Sequence, residues 1–219
     1  MIYSPERGYL FIHIPKTGGT SLALALEDRA KAGDIMAGDT PKAIKRRKRL
    51  EGLPARGRVW KHSTLSDLDG WLTDELASLY IFTIVRNPWD RLVSYYYWLR
   101  AQNWEHEAVT LAKAHDFAAF LAAPHTRASI GGAPYGAYMT DAQGTERASR
   151  YLRLECIDED LGALAEDLGL KIRMPHENRS RRPQDYRTAY SEVSRGMVEE
   201  LCAEDIARFG YDFEAGIIR

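Results

Sequence analysis

Phe11-Ile12-His13-Ile14-Pro15-Lys16-Thr17-Gly18-Gly19-Thr20-Ser21-Leu22 opens as an apolar run and breaks at a proline. It then passes through a lysine, two glycines and three hydroxyl residues into a helix-forming segment. Such an order builds an anion cradle between a strand and a helix. Glycines let the backbone turn its N–H groups inward, the helix start adds a partial positive charge, and Lys16 adds a whole one. The nucleotide-triphosphate loop, G-x-x-x-x-G-K-[ST], places its lysine after the last glycine. Here the lysine precedes the glycines, so this cradle serves a phosphate-like group in a different way.

Outward from the cradle, residues 9–14 read as a buried strand and residues 21–31 as the helix that follows, ended by Gly33. Residues 33–58 hold glycines, prolines and a basic run, and read as a mobile loop or loose helix. Residues 59–62 are expected to form a short strand. Ser63 or Thr64 with Asp67 resembles a cap for a helix over residues 65–76. Residues 79–85 are continuous and β-branched, as in a strand covered on both faces. Asn87-Pro88 then opens a helix, with Asn87 as cap, Pro88 at its first position and an apolar stripe of Leu92, Val93, Tyr96 and Tyr97.

Residues 117–122, 161–168 and 192–209 are read as further helices, residues 150–154 as a strand, and residues 124–147 as loop-rich. Strands alternating with helices predict a three-layer α/β fold of P-loop type, a central parallel sheet with helices on both faces. Ligands of such folds sit at the carboxyl ends of the strands.

At 219 residues, 45% hydrophobic and 28% charged, the chain suits a single α/β domain over residues 1–219. Cys156 and Cys202 form neither a metal-spaced pair nor a disulfide framework, which favours a reducing compartment. No apolar run reaches the roughly 18–20 residues needed to span a bilayer. The opening residues lack the apolar centre of a signal peptide, so a cytoplasmic protein without a membrane anchor is expected. Net charge is −1, but residues 42–61 hold nine basic residues against Glu51 alone. A local field of that size steers anionic partners; the plainer reading is a solvated surface loop.

A second constellation lies at the end of the strongest strand. Arg86 leaves the sheet there, and Ser94 follows two turns into the next helix, roughly 10 Å along its axis. An extended arginine offers a forked donor to an anion and the hydroxyl adds one more, while Asp90 stands four residues on as an alternative ion-pair partner. Two anion sites at one sheet edge suit a ligand with phosphates at both ends.

The stretches Pro15-Lys16-Thr17-Gly18-Gly19-Thr20-Ser21 and Val85-Arg86-Asn87-Pro88…Arg91…Ser94-Tyr95-Tyr96 closely resemble the two cofactor motifs of sulfotransferases that use 3′-phosphoadenosine 5′-phosphosulfate (PAPS). Arg153-Leu154-Glu155, Met174-Pro175-His176-Glu177-Asn178 and Phe209-Gly210-Tyr211 resemble later landmarks of the carbohydrate branch. Residues 84–100 are most similar to uronosyl 2-O-sulfotransferases. The Golgi members are longer and membrane-anchored; this chain is more like a compact bacterial relative.

The resemblance implies that Lys16, with Thr17, Gly18, Gly19, Thr20 and Ser21, holds the 5′-phosphosulfate. It implies that Arg86 and Ser94 hold the 3′-phosphate, and that 3′,5′-adenosine bisphosphate (PAP) is the product. Lys16 is then the cation for the leaving oxygen. His62, near an unperturbed pKa of about 6.5, suits the base that deprotonates an acceptor hydroxyl and matches the family's histidine in placement. Glu27 and Asp39 are reserve bases, since other carbohydrate sulfotransferases use a carboxylate. His13 is expected to pack within the sheet. By analogy His176 shapes the adenosine or substrate side, and Asn178, Ser180 and Arg182 touch the cofactor. Tyr95, Tyr97 and Trp98 are candidates to stack on a sugar or to pack in the core. The acceptor is expected to be a carbohydrate or sugar-bearing small molecule, with the basic run favouring an acidic saccharide. No metal is required.

Two other readings compete. A P-loop kinase or nucleotidase shares the fold, but the lysine precedes the glycines and no acidic strand end stands ready for Mg²⁺. A non-catalytic nucleic-acid binder would use residues 42–61, where Trp60 is the one aromatic available for base stacking.

Overall fold

A computed structural model describes residues 1–175 and 182–217. The chain forms two compact units, Met1–Val85 with Tyr135–Asn178 and Arg86–Pro134 with Arg179–Arg219. Elements are numbered in chain order.

The first unit is built on β1 (Ile2–Ser4), β2 (Tyr9–Phe11), β3 (Ile35–Met36), β4 (Tyr80–Val85) and β5 (Arg150–Arg153), ordered β3-β1-β2-β4-β5. Strands β2, β4 and β5 are parallel, with Leu10 opposite Ile81 and Ile84 opposite Leu152. Strands β1 and β3 extend this mostly parallel sheet by antiparallel pairing. Its cause is short range. Only the turn Pro5–Arg7 and Gly8, at φ 66°, join β1 to β2, and a parallel crossover needs a dozen residues or more.

Side chains alternate across the sheet. Tyr9, Phe11, Phe82, Ile84 and Leu152 face α1 (Gly19–Glu27), α2 (Pro41–Arg46) and α8 (Ile157–Leu168), packing on Leu22, Leu26, Ala43, Leu161 and Leu164. Leu10, Ile12 and Ile81 face the other way, onto Leu65, Leu68, Leu72, Leu76 and Met139, the last just past the short helix α7 (Tyr135–Tyr138). With both faces covered, β4 has no polar alternation to show, and each large side chain buried there contributes about 1.5–3 kcal/mol.

Several local expectations change. The helix expected over residues 65–76 stops after one 3₁₀ turn, Ser66–Leu68. Its cap does form: the Asp67 carboxylate accepts from the Thr64 N–H at 2.8 Å, and the Thr64 hydroxyl accepts from the Asp67 N–H at 3.2 Å. Gly70, at φ 84°, then turns the chain out of the helix, while the four leucines stay buried. Residues 59–62 form a turn rather than a strand, because the Ser63 hydroxyl accepts from Trp60 N–H and donates to Arg58 C=O. Residues 33–58 contain β3, α2 and a 3₁₀ turn, Arg47–Leu50.

The second unit holds α3 (Pro88–Arg100), α4 (Glu107–Ala114), α5 (Phe117–Ala122), α6 (Pro124–Gly131), α9 (Glu192–Leu201) and α10 (Ala203–Phe209), with the hairpin β6 (Tyr211–Asp212) and β7 (Gly216–Ile217). The Asn87 side chain caps α3 as expected, accepting from the Trp89 and Asp90 N–H groups at 3.0 and 3.3 Å. Residues 192–209 are two helices broken at Cys202, and residues 124–147 contain α6 and α7. No helix among the described residues is long and apolar enough to cross a membrane.

Candidate active site

In the first unit, β2 runs on through Ile12, whose N–H bonds Phe82 C=O at 3.0 Å, into the turn at Pro15–Gly18. Lys16 sits at φ 67°, the one non-glycine residue with positive φ among the described residues, and Gly18 sits at φ 91°. The Thr17 hydroxyl is buried and donates to Ile14 C=O at 2.9 Å, so it closes the turn instead of facing a ligand. The Ser21 N–H is likewise committed, to Gly18 C=O at 3.1 Å. The N–H groups of Gly18, Gly19 and Thr20 have no acceptor among the described residues. A helix start with three open donors and a lysine beside it fits an anionic phosphate or phosphosulfate group.

His62, in the same unit, places Nδ1 at 2.7 Å from the His13 carbonyl oxygen. A carbonyl only accepts, so Nδ1 holds the proton and Nε2 keeps the lone pair. Burial pushes the His62 pKa down to about 4, with the Lys61 charge acting in the same direction against the carbonyl bond, and the ring is neutral at pH 7. His13 is buried, stacked on Phe11, and held well below the usual histidine range by burial and by the positive groups around it.

In the second unit, Arg86 directly follows β4 and is buried. Its Nε and Nη2 donate to Asp90 Oδ2 at 2.9 and 2.6 Å. Arg182 Nη1 lies 2.5 Å from the other Asp90 oxygen. Ser94 is buried one turn beyond Asp90, on the same face of α3. Two guanidinium groups are thus gathered by one carboxylate next to a hydroxyl, an arrangement suited to a doubly charged anion.

The model of the sulfotransferase family matches residues 1–129. The chain belongs to the sulfotransferase family. Mouse sulfotransferase SULT7A1, solved complexed with PAP, is similar in fold at a TM-score of 0.55 and 18% identity, covering 91% of this chain and 84% of that one. No curated protein matches the chain.

The reserve carboxylates of this sulfotransferase are already engaged. Glu27 is buried and holds the start of α2, accepting from the Thr40 hydroxyl and from the Lys42 and Ala43 N–H groups at 3.2 and 3.1 Å. These bonds occupy both of its carboxylate oxygens. Asp39 is exposed and paired with Lys61 at 2.8 Å. Together with His13, Thr20 and Thr40, this ion pair lines a small cavity. Among the aromatics, Trp98 is exposed and Tyr95 stacks on it at 6.1 Å.

His176, Asn178 and Ser180 lie outside the described residues. Asp90, as the partner of both arginines, is the functional candidate that sequence reasoning assigned only to a structural ion pair. Its signal was the four-residue spacing from Arg86.

Proposed function

We propose that this sulfotransferase moves a sulfuryl group from PAPS to a hydroxyl of a carbohydrate or sugar-bearing small molecule. The observation that supports this reading best is the cradle, where Lys16 stands beside the open N–H groups of Gly18 to Thr20. The donor, when bound, supplies an activated SO₃ unit on a phosphate leaving group. Lys16 is the cation for the oxygen that bridges phosphorus and sulfur, where negative charge grows as that bond breaks. The cradle's N–H groups and the Thr20 and Ser21 hydroxyls hold the 5′ end; Arg86 and Ser94 hold the 3′-phosphate, with Arg182 as a second guanidinium. His62 Nε2 takes the acceptor proton as the acceptor oxygen bonds to sulfur in line with the departing oxygen. PAP leaves.

An acidic saccharide is the acceptor we favour. Of the basic residues in 42–61, Lys42, Arg46, Arg49, Arg56 and Lys61 are tied to Glu27, Lys31, Ala32, Asp34, Asp69 and Asp39. Lys45, Arg47 and Lys48 are exposed on α2 and the turn after it, and none has a partner among the described residues. The start of α2 lines the same cavity as Thr20, so these three cations extend the site by roughly 6–10 Å along the helix. We also place the protein in the cytoplasm, which the free thiols of Cys156 and Cys202 support. Residues 1–219 are read as one sulfotransferase domain, and the extent of the structural likeness supports that.

Transfer of labelled sulfate from PAPS to a panel of neutral and acidic saccharides tests the activity. PAP is expected to raise the thermal midpoint and ATP with Mg²⁺ to leave it unchanged. The reverse pattern would return the chain to the kinase or nucleotidase reading. RNA binding that collapses on neutralising residues 42–61, with no sulfate transfer, would return it to the nucleic-acid reading.

A further inference from the structure

His13 takes no part in the chemistry above, yet it touches both halves of it within the first unit. Its imidazole packs against the start of α1. A Cβ built on Gly19 would stand 2.3 Å from His13 Cδ2 and 2.6 Å from Nε2, well inside any real contact. A second neighbour is His62, with ring centroids 4.7 Å apart and planes at 73°. Phe11 backs the ring at 5.8 Å, and the His13 carbonyl oxygen accepts from His62 Nδ1 at 2.7 Å. The His13 ring nitrogens bond no described residue, so the ring acts here by shape.

We propose that His13 is a positioning residue, a wedge that sets the spacing between the glycine turn of the donor cradle and the base His62. The proposal rests on the roles given to the cradle and to His62 in the preceding subsection. It explains why position 19 takes glycine although Gly19 has no positive φ: the residue is small because the imidazole occupies the space of its side chain. It also accounts for part of the shielding of the half-buried His62. The His13 ring forms one wall of its surroundings, and the charged or titratable groups that face the pair are Lys61, Asp39, Lys16 and the Met1 amino group.

A cycle of Gly19→Ala, His13→Ala and the double variant tests the wedge. Gly19→Ala is expected to lower the thermal midpoint and to weaken PAP binding by about tenfold or more, as overpacked sites do. Removing the imidazole makes room for the methyl, so the double variant is expected to exceed Gly19→Ala in both readouts. A double variant no better than Gly19→Ala overturns the proposal. The His62 ring, titrated by NMR in His13→Ala, gives a readout that simple loss of packing elsewhere would not move. Its midpoint is expected to rise from about 4 toward the ordinary value of about 6.5, because water reaches the ring. An unmoved midpoint also overturns the wedge. If the wild-type protein binds no PAP, the donor reading falls, and the thermal cycle and the NMR titration still decide the role of His13.

Discussion

His62 owes its proton-accepting nitrogen to a carbonyl. The bond from Nδ1 to His13 C=O fixes the tautomer, and burial keeps the ring neutral far below pH 7. His62→Ala is therefore expected to bind PAP as the wild type does and to transfer sulfate about 10²–10⁴-fold more slowly. The sign of the pH dependence follows from the lowered pKa. In the role proposed for it, His62 is available as base at neutral pH, and turnover is expected to be lost as pH falls through about 4, provided the fold survives. Stability moves the same way: the unfolded chain takes up the His62 proton near pH 6.5, so the thermal midpoint declines from there downward. A kcat limb near pH 6.5 in the wild type would remove His62 as the base. At this scale the turn at Lys16 and the pairing of Arg86 with Asp90 were legible because they lie in spacings of a few residues. The His13 contact was not, because it joins positions 49 apart.

Elements were legible where one local signal dominated. β4 announced itself by an unbroken β-branched run, and α3 by Asn87 and Pro88 in capping order. The stretch 65–76 was misread for a physical reason. Leucines at 65, 68, 72 and 76 have helical spacing, but a turn-rich layer can bury them equally well, and Gly70 decides which forms. Its φ of 84° disfavours a side chain, and a Cβ there would meet Pro54 C=O at 2.5 Å. Gly70→Ala is expected to lower stability by more than about 1 kcal/mol in urea unfolding. A neutral or stabilising outcome would mean that the segment can rejoin the helix its capping pair begins.

For the molecule as a whole, a near-zero net charge conceals a basic run over residues 42–61, whose helix α2 begins at the cavity that Thr20 lines. Composition showed the charge, but not which cations were engaged; that depended on the fold bringing Glu27, Asp34 and Asp39 to meet them. Replacing Lys45, Arg47 and Lys48 together with Gln is expected to raise KM for an acidic saccharide severalfold and to flatten its salt dependence. KM for PAPS and for neutral acceptors should stay as it was. Equal losses for neutral and acidic acceptors would show that this surface does not select for charge.

The left-handed turn at Lys16 has a consequence for the whole chain. A side chain in that conformation costs about 1–2 kcal/mol relative to ordinary backbone, and glycine escapes most of it. Lys16→Gly and Lys16→Ala both remove the ammonium group, yet the glycine variant is expected to unfold at the higher urea concentration, by about 1 kcal/mol. On the role proposed for Lys16, activity and robustness are in opposition at one position, and selection for thermal endurance alone would be drawn to a change expected to abolish turnover.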